Sequence, residues 1–473
     1  MENSSFYSVL LENFNLQPNE GQSILFEELE AFARQKGSKQ LFILKGYAGT
    51  GKTSVLGAYV KTLEHYKVRT KLLAPTGRAA KVFSMKSKKE ALTIHKQIYR
   101  RKSKTDIGSP ISLQPNLHRN TLFIVDEASM IGDYTMQKDG SVSARNLLED
   151  LFEYVFSADG CKLILMGDDG QLPPVGSDHS PALNQDYLEN HYPTLHIRSF
   201  KLNEVLRQAQ DSEILRNATL LRNTEWVDYP KFNIRQQTDL IRLNGAELQD
   251  ELESSMSKYG SEDSIVITRS NKNANQYNQQ IRGRILWYEE ELCGGDALMV
   301  VKNNYFWLGD DSKVGFIANG EVIKVRRILG LEDLYGFRFA RVLVTFPDYD
   351  DLGDVEVIVH LEALTVEGPS LPRDRMKALF FEIERDYAHI SLKKKRYEAI
   401  MADPYFNALQ VKYAYAVTCH KSQGGQWSHV FIDQGYINDD MMGPDYYRWL
   451  YTALTRGTEK VFLVNFADAF FES

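Results

Sequence analysis

Eight residues constrain this chain more than any others: Gly46-Tyr47-Ala48-Gly49-Thr50-Gly51-Lys52-Thr53. They fit GxxxxGK[ST] and directly follow the apolar run Leu41-Phe42-Ile43-Leu44. A glycine-rich turn between a buried strand and a helix leaves several backbone N–H groups free to point at one anion, at the positive end of the helix. In that frame Lys52 reaches the β- and γ-phosphates of ATP, and the Thr53 hydroxyl holds Mg²⁺. The expected nucleotide-binding set is therefore Gly46, Ala48, Gly49, Thr50, Gly51, Lys52, Thr53 and Ser54.

Three further apolar runs, Lys71–Ala74, Thr121–Val125 and Lys162–Met166, each end at a polar or glycine-containing loop. Continuous apolar runs of this length read as parallel strands covered by helices on both faces. Ligands of such sheets sit at the carboxyl ends of the strands. Asp126-Glu127 stands at one such end. There the first acid can bind Mg²⁺, and the second can orient and deprotonate an attacking water.

A second α/β set contributes Ser264–Thr268, Val430–Asp433 and Val461–Asn465 as strands. Between them, roughly 286 to 400, alternating Val, Ile and Phe with Gly and Asn turns reads as small β structure. A charged helical piece, about Pro372 to Met401, closes that insertion.

Across 473 residues the net charge is −7, which argues against a surface that coats nucleic acid everywhere. It leaves room for a local track. Arg78 to Lys104 holds ten Lys or Arg and one acid, Glu90. The cluster Lys393-Lys394-Lys395-Arg396 reads instead as solvated surface. The cysteines Cys161, Cys293 and Cys419 are far apart and show no metal-ligand spacing, so reduced and mostly buried thiols are expected. No run of 18 or more apolar residues suggests a membrane span. Met1 to Phe14 carries Glu2 and Glu12 and has no cleavable apolar segment, so a cytoplasmic protein is expected.

Several motifs together resemble those of superfamily 1 helicases. Gly167-Asp168-Asp169-Gly170-Gln171-Leu172-Pro173-Pro174-Val175-Gly176 resembles their motif III. Pro75–Lys81 and Thr93-Ile94-His95 resemble motifs Ia and Ib. Leu206-Arg207-Gln208 is similar to the arginine element of motif IV, Ala416–Gly424 to motif V, and Tyr451–Arg456 to motif VI. Their order spans residues 16 to about 465 and most resembles the RecD-like, Dda-like and Pif-type group.

The resemblance implies two RecA-like parallel-sheet cores, with a short hairpin insertion and an inserted SH3-like β domain. Core 1 would be 1–205, with a basic pin at about 84–116. Core 2 would be 206–285 with 402–473, and the SH3-like domain with its charged extension 286–401. Gln171 would sense the γ-phosphate, and Arg207 and Arg456 would be arginine fingers. Gln22 resembles an adenine-reading glutamine, and Tyr99 is either a stacking residue at the base of the pin or a core aromatic. Thr76, Arg78, His95, Thr418, His420 and Lys421 fall in strand-contacting motifs.

The implied activity is an ATP-dependent, 5′-to-3′ motor on single-stranded DNA that unwinds tailed duplex and works as a monomer. Polarity and the choice of DNA come from the resemblance alone, because phosphate contacts do not distinguish DNA from RNA. A stimulated ATPase that translocates without unwinding, and an RNA helicase, share the same motifs.

Overall fold

The computed structural model describes residues 5–100, 112–133, 146–205, 212–223, 229–234, 238–308, 316–349 and 352–472. Its first layer is a six-stranded sheet built from β1 (Gln40–Gly46), β2 (Arg69–Ala74), β3 (Ala91–Thr93), β6 (Thr121–Val125), β7 (Lys162–Gly167) and β8 (His196–Leu202). All of its pairs are parallel, in the order β3-β2-β6-β7-β1-β8.

Its strand sequences follow from where their side chains go. Phe42, Leu44, Leu122, Ile124, Ile164 and Met166 enter one apolar cluster. Leu41, Ile43, Phe123, Val125, Leu163 and Leu165 enter another, on the opposite face. Both faces are buried, so successive residues are apolar rather than alternating. Helix Lys52–His65 begins at Gly51 (φ 83°), and helix Glu20–Arg34 begins in a capping box between Asn19 and Gln22.

Two short strands, β4 (Tyr99–Arg100) and β5 (Ser112–Leu113), pair antiparallel beside this sheet. They fall within the stretch expected to hold the pin, of which 101–111 lie outside the described residues. Residues 77–87 of the basic run are helical.

The second sheet comprises β9 (Leu240–Leu243), β10 (Ser264–Thr268), β16 (Ala416–Thr418), β17 (Trp427–Asp433) and β18 (Gly457–Val464). It too is parallel, in the order β16-β10-β17-β18-β9. Between β10 and β16 the chain makes a small closed barrel from β11 (Ala297–Val300), β12 (Val322–Leu334), β13 (Phe337–Thr345), β14 (Val355–His360) and β15 (Leu409–Tyr413). Its closing strand, β15, follows the charged helices rather than preceding them. The architecture is thus mixed α/β with parallel RecA-like cores and a small barrel, which is the part of the SH3-like expectation that the fold bears out.

The barrel and the second core share one apolar cluster: Val266, Phe431 and Phe462 pack with Val325, Val342 and Val359. A buried bidentate pair, Arg282 to Asp296 at 2.8 Å for both bonds, joins them as well. Helices Arg373–Asp386 and Lys393–Met401 lie over another barrel face, where Leu379, Ile383 and Ile400 meet Phe337, Phe339 and Ile358. Their outer side carries exposed Lys393, Lys394 and Lys395, while Lys394 and Arg396 approach Glu398 and Glu384 at 3.8 and 3.7 Å. Among the described residues no helix is long and apolar enough to cross a membrane.

Candidate nucleotide cleft and nucleic-acid groove

The turn after β1 and the start of the next helix place Ala48, Gly49, Gly51, Lys52, Thr53 and Ser54 on a cleft of about 600 Å³. Asp126 and Glu127 enter it from the end of β6, and Gln171 from the loop after β7. The opposite wall belongs to the second core and includes Gly424, Thr455, Arg456 and Gly457. Arg207 lies outside the described residues.

Gly46, Thr50 and Gln22 stand behind this surface. The Lys52 ammonium donates to the carbonyls of Gly46 and Tyr47 at 2.5 and 2.9 Å. Thr50 donates to Tyr47 O at 2.8 Å. Gln22 is fully buried, and both ends of its amide are engaged: Nε2 donates to Thr50 O at 3.1 Å, and Oε1 accepts from Asn19 N–H at 3.2 Å. Its bonds support the phosphate turn from behind, so the structure does not direct it at a base. Close approach also explains Gly49: at φ 77°, a Cβ there would come within 3.2 Å of Leu215 and Val205 side chains.

The acids are electrostatically frustrated. Burial and the neighbouring Glu127 push the Asp126 carboxyl up, opposed by the Glu127 N–H, Lys52 and Lys86. Glu127 itself has φ 52°, a left-handed conformation costly for a side-chain-bearing residue. A divalent cation held by Asp126 and Thr53 would relieve the carboxylate pair, so the donor set fits Mg²⁺. Gln171 is 6% exposed and its Oε1 has no hydrogen-bond partner among the described residues, as suits a group poised for a ligand.

Arg456 is buried and held by its own core. Nε donates to Thr452 O at 3.0 Å, and the terminal nitrogens donate to Gly425 O and Thr455 Oγ1 at 3.3 and 3.1 Å. Sequence reasoning did not single out the residues that tie the cores together. Tyr451 Oη accepts the Ala48 N–H at 2.9 Å and donates to Asp168 Oδ2 at 2.6 Å. Thr452 Oγ1 accepts from Leu172 N–H, and Gln423 donates to Leu172 O. Arg222 stacks over the Tyr47 ring at 3.7 Å, with Lys201 also near that ring at 4.4 Å. Tyr451 and Asp168 lay inside quoted motifs, but nothing in one sequence pairs residues so far apart.

A second groove, of about 610 Å³, runs between both cores and the barrel. Thr76, Arg78, Thr418, His420 and Lys421 line it together, with Asn319 and Lys324 from the barrel. Arg78 donates to Gln426 O at 3.0 Å and lies 4.1 Å from the Trp427 ring centroid. Gly425 is needed beside that ring, because a Cβ there would meet it at 2.4 Å. Burial lowers the proton affinities of both His420 and Lys421.

His95 does not line this groove. Its ring packs against Tyr99 and Phe316, and burial lowers its pKa to about 4, which makes it a neutral packing residue. Tyr99 donates to Asp150 Oδ2 at 2.6 Å, so it is anchored in the first core.

A phosphate turn on one core and an arginine wall on the next define a class, the P-loop ATPases with a site shared by two RecA-like cores. Residues 19–242 match the AAA domain model, and 413–464 match the UvrD-like helicase C-terminal domain. An uncharacterised protein of Acanthamoeba polyphaga mimivirus is 23% identical over 94% of this chain and 99% of its own length. The ATP-dependent RecD2 DNA helicase of Deinococcus radiodurans is 30% identical over 42% of this chain, which covers 24% of that enzyme. The ATP-dependent DNA helicase Dda of Enterobacteria phage T4 is 26% identical over 59% of this chain and 60% of its own length. These matches support placing the chain with the superfamily 1 helicases of the Pif-type and RecD-like group.

Proposed function

We propose that this protein is an ATP-driven motor that moves 5′ to 3′ on single-stranded DNA and separates duplex ahead of it. The observation that carries this reading is the shared wall. The same second core that closes the nucleotide cleft with Arg456 also lines the groove with Thr418, His420 and Lys421. A movement of that core therefore alters both sites.

When bound, ATP supplies the γ-phosphoryl whose transfer to water drives the cycle, and Mg²⁺ neutralises its charge. Lys52 leaves its two carbonyl partners to pair with phosphate. Glu127 takes the proton of the attacking water, and Gln171 uses its free Oε1 to orient it. Arg456 contacts the phosphate only with the cores together, so closure gains differential affinity there. Thr76 and Arg78 on the first core, and Thr418, His420 and Lys421 on the second, hold the strand alternately as the cores close and part. Polarity and action as a monomer follow the family. RecD2 and Dda are named as DNA helicases, which favours DNA over RNA.

ATP hydrolysis with Mg²⁺ should be compared without polymer, with single-stranded DNA and with RNA of the same sequence. Strong stimulation by DNA, followed by unwinding of a 5′-tailed but not a 3′-tailed duplex, is expected. Stimulation without strand separation would instead make it a translocase, and stimulation by RNA alone would make it an RNA motor.

A further inference from the structure

A second polar cavity, of about 440 Å³, lies behind the nucleotide cleft, and Gln171 lines both. From that buried residue it extends to His179 and Asp186, which are exposed. Gln171, Asp169 and Ser180 line it, and each holds one buried oxygen with no partner among the described residues: Gln171 Oε1, Asp169 Oδ1 and Ser180 Oγ. Asp169 Oδ2 is already taken by Lys201 at 2.8 Å. Two cations face the same space. Lys45, the last residue before the phosphate turn, makes no ion pair among the described residues. Arg448, from the second core, reaches the cavity with one nitrogen donating to Asp178 O at 2.6 Å and no carboxylate partner among the described residues.

Buried polar groups are seldom left unpaired, so this set calls for a ligand with both donors and acceptors. Few small anions carry both. Dihydrogen phosphate does: its two P–OH groups can donate to Asp169 and Gln171, while its other oxygens accept from the Ser180 hydroxyl, Lys45 and Arg448. The Asp169 and Asp186 carboxylates oppose an anion, which keeps any stay short.

We propose that this cavity is the exit station for the inorganic phosphate left by ATP hydrolysis, with Gln171 as the partition between the reaction site and the way out. The inference rests on the ATPase reading above. Because Arg448 belongs to the second core and Lys45 to the first, the station is complete only with the cores together.

The test separates cleavage from release in single-turnover reactions of the full chain on single-stranded DNA. Acid quench reports cleavage, and a fluorescent phosphate sensor reports release. Lys45→Met and Arg448→Met should each slow release about tenfold, the effect of losing one charge-assisted contact, with cleavage unchanged. In the ADP-loaded protein, the ³¹P signal of added orthophosphate should broaden for wild type and less for either variant. Unchanged release in both variants would overturn the proposal, as would cleavage slowed in step with release. Absence of cleavage in the wild type would remove the ATPase reading itself and the exit station with it.

Discussion

The Tyr451 hydroxyl of the second core donates to Asp168 Oδ2 of the first at 2.6 Å while accepting the Ala48 N–H of the phosphate turn at 2.9 Å. One phenol thus joins a helix of the second core, motif III and the nucleotide loop. Burial pushes both the tyrosine and the aspartate proton affinities up.

Tyr451→Phe removes both bonds and leaves a buried carboxylate oxygen unpaired, which costs about 1–3 kcal/mol. We expect DNA-stimulated turnover to fall about tenfold, with the KM for ATP little changed. Steady-state kinetics check this. A variant with wild-type turnover would show that the bridge does not couple the cores.

Arg456 should be intolerant even of lysine, because its guanidinium is fixed by three donations to its own core before it meets any phosphate. Arg456→Lys should lower turnover on the order of a thousandfold while nucleotide binding persists. Lys52→Ala should abolish turnover and leave DNA binding measurable. Turnover assays beside fluorescent-nucleotide and DNA titrations separate these losses.

Trp427 holds the Arg78 guanidinium over its ring at 4.1 Å, a contact worth roughly 0.5–2 kcal/mol. Trp427→Ala should weaken single-stranded DNA binding about twofold to thirtyfold, a larger change than in the KM for ATP. Anisotropy titrations at two salt concentrations would test it, and unchanged affinity would remove Arg78 positioning as the role of the ring.

Glu321 gives a pH signature. Burial raises its pKa to about 8, against an ordinary value of 4.5, although it accepts hydrogen bonds from Tyr349 and the Ala318 N–H. The folded protein holds this proton more tightly than the unfolded chain. The resulting stabilisation is complete below pH 4.5 and fades at about 1.4 kcal/mol per unit as pH rises to about 8. Glu321→Gln should therefore gain stability relative to wild type between pH 5 and pH 9. Melting curves at both values check the sign, and a pH-independent difference would contradict it.

The sequence by itself determined the parts whose chemistry is local. The phosphate turn, Asp126-Glu127 and the paired-face strands were legible because adjacent residues impose backbone geometry, and because a strand covered on both sides shows an unbroken apolar run. Short or mixed strands were not legible: β3 has three residues, and β8, His196–Leu202, alternates charge with apolar groups at a sheet edge. Only the tertiary structure decided which motif residues meet. His95 and Arg78 sit in similar basic surroundings in the chain, yet one packs under Phe316 and the other reaches the groove. Gln22, Tyr451 and the cavity behind Gln171 depend on contacts between elements distant in sequence. Such contacts are selected by how whole sheets and helices pack, and nearest-neighbour chemistry carries no record of that choice.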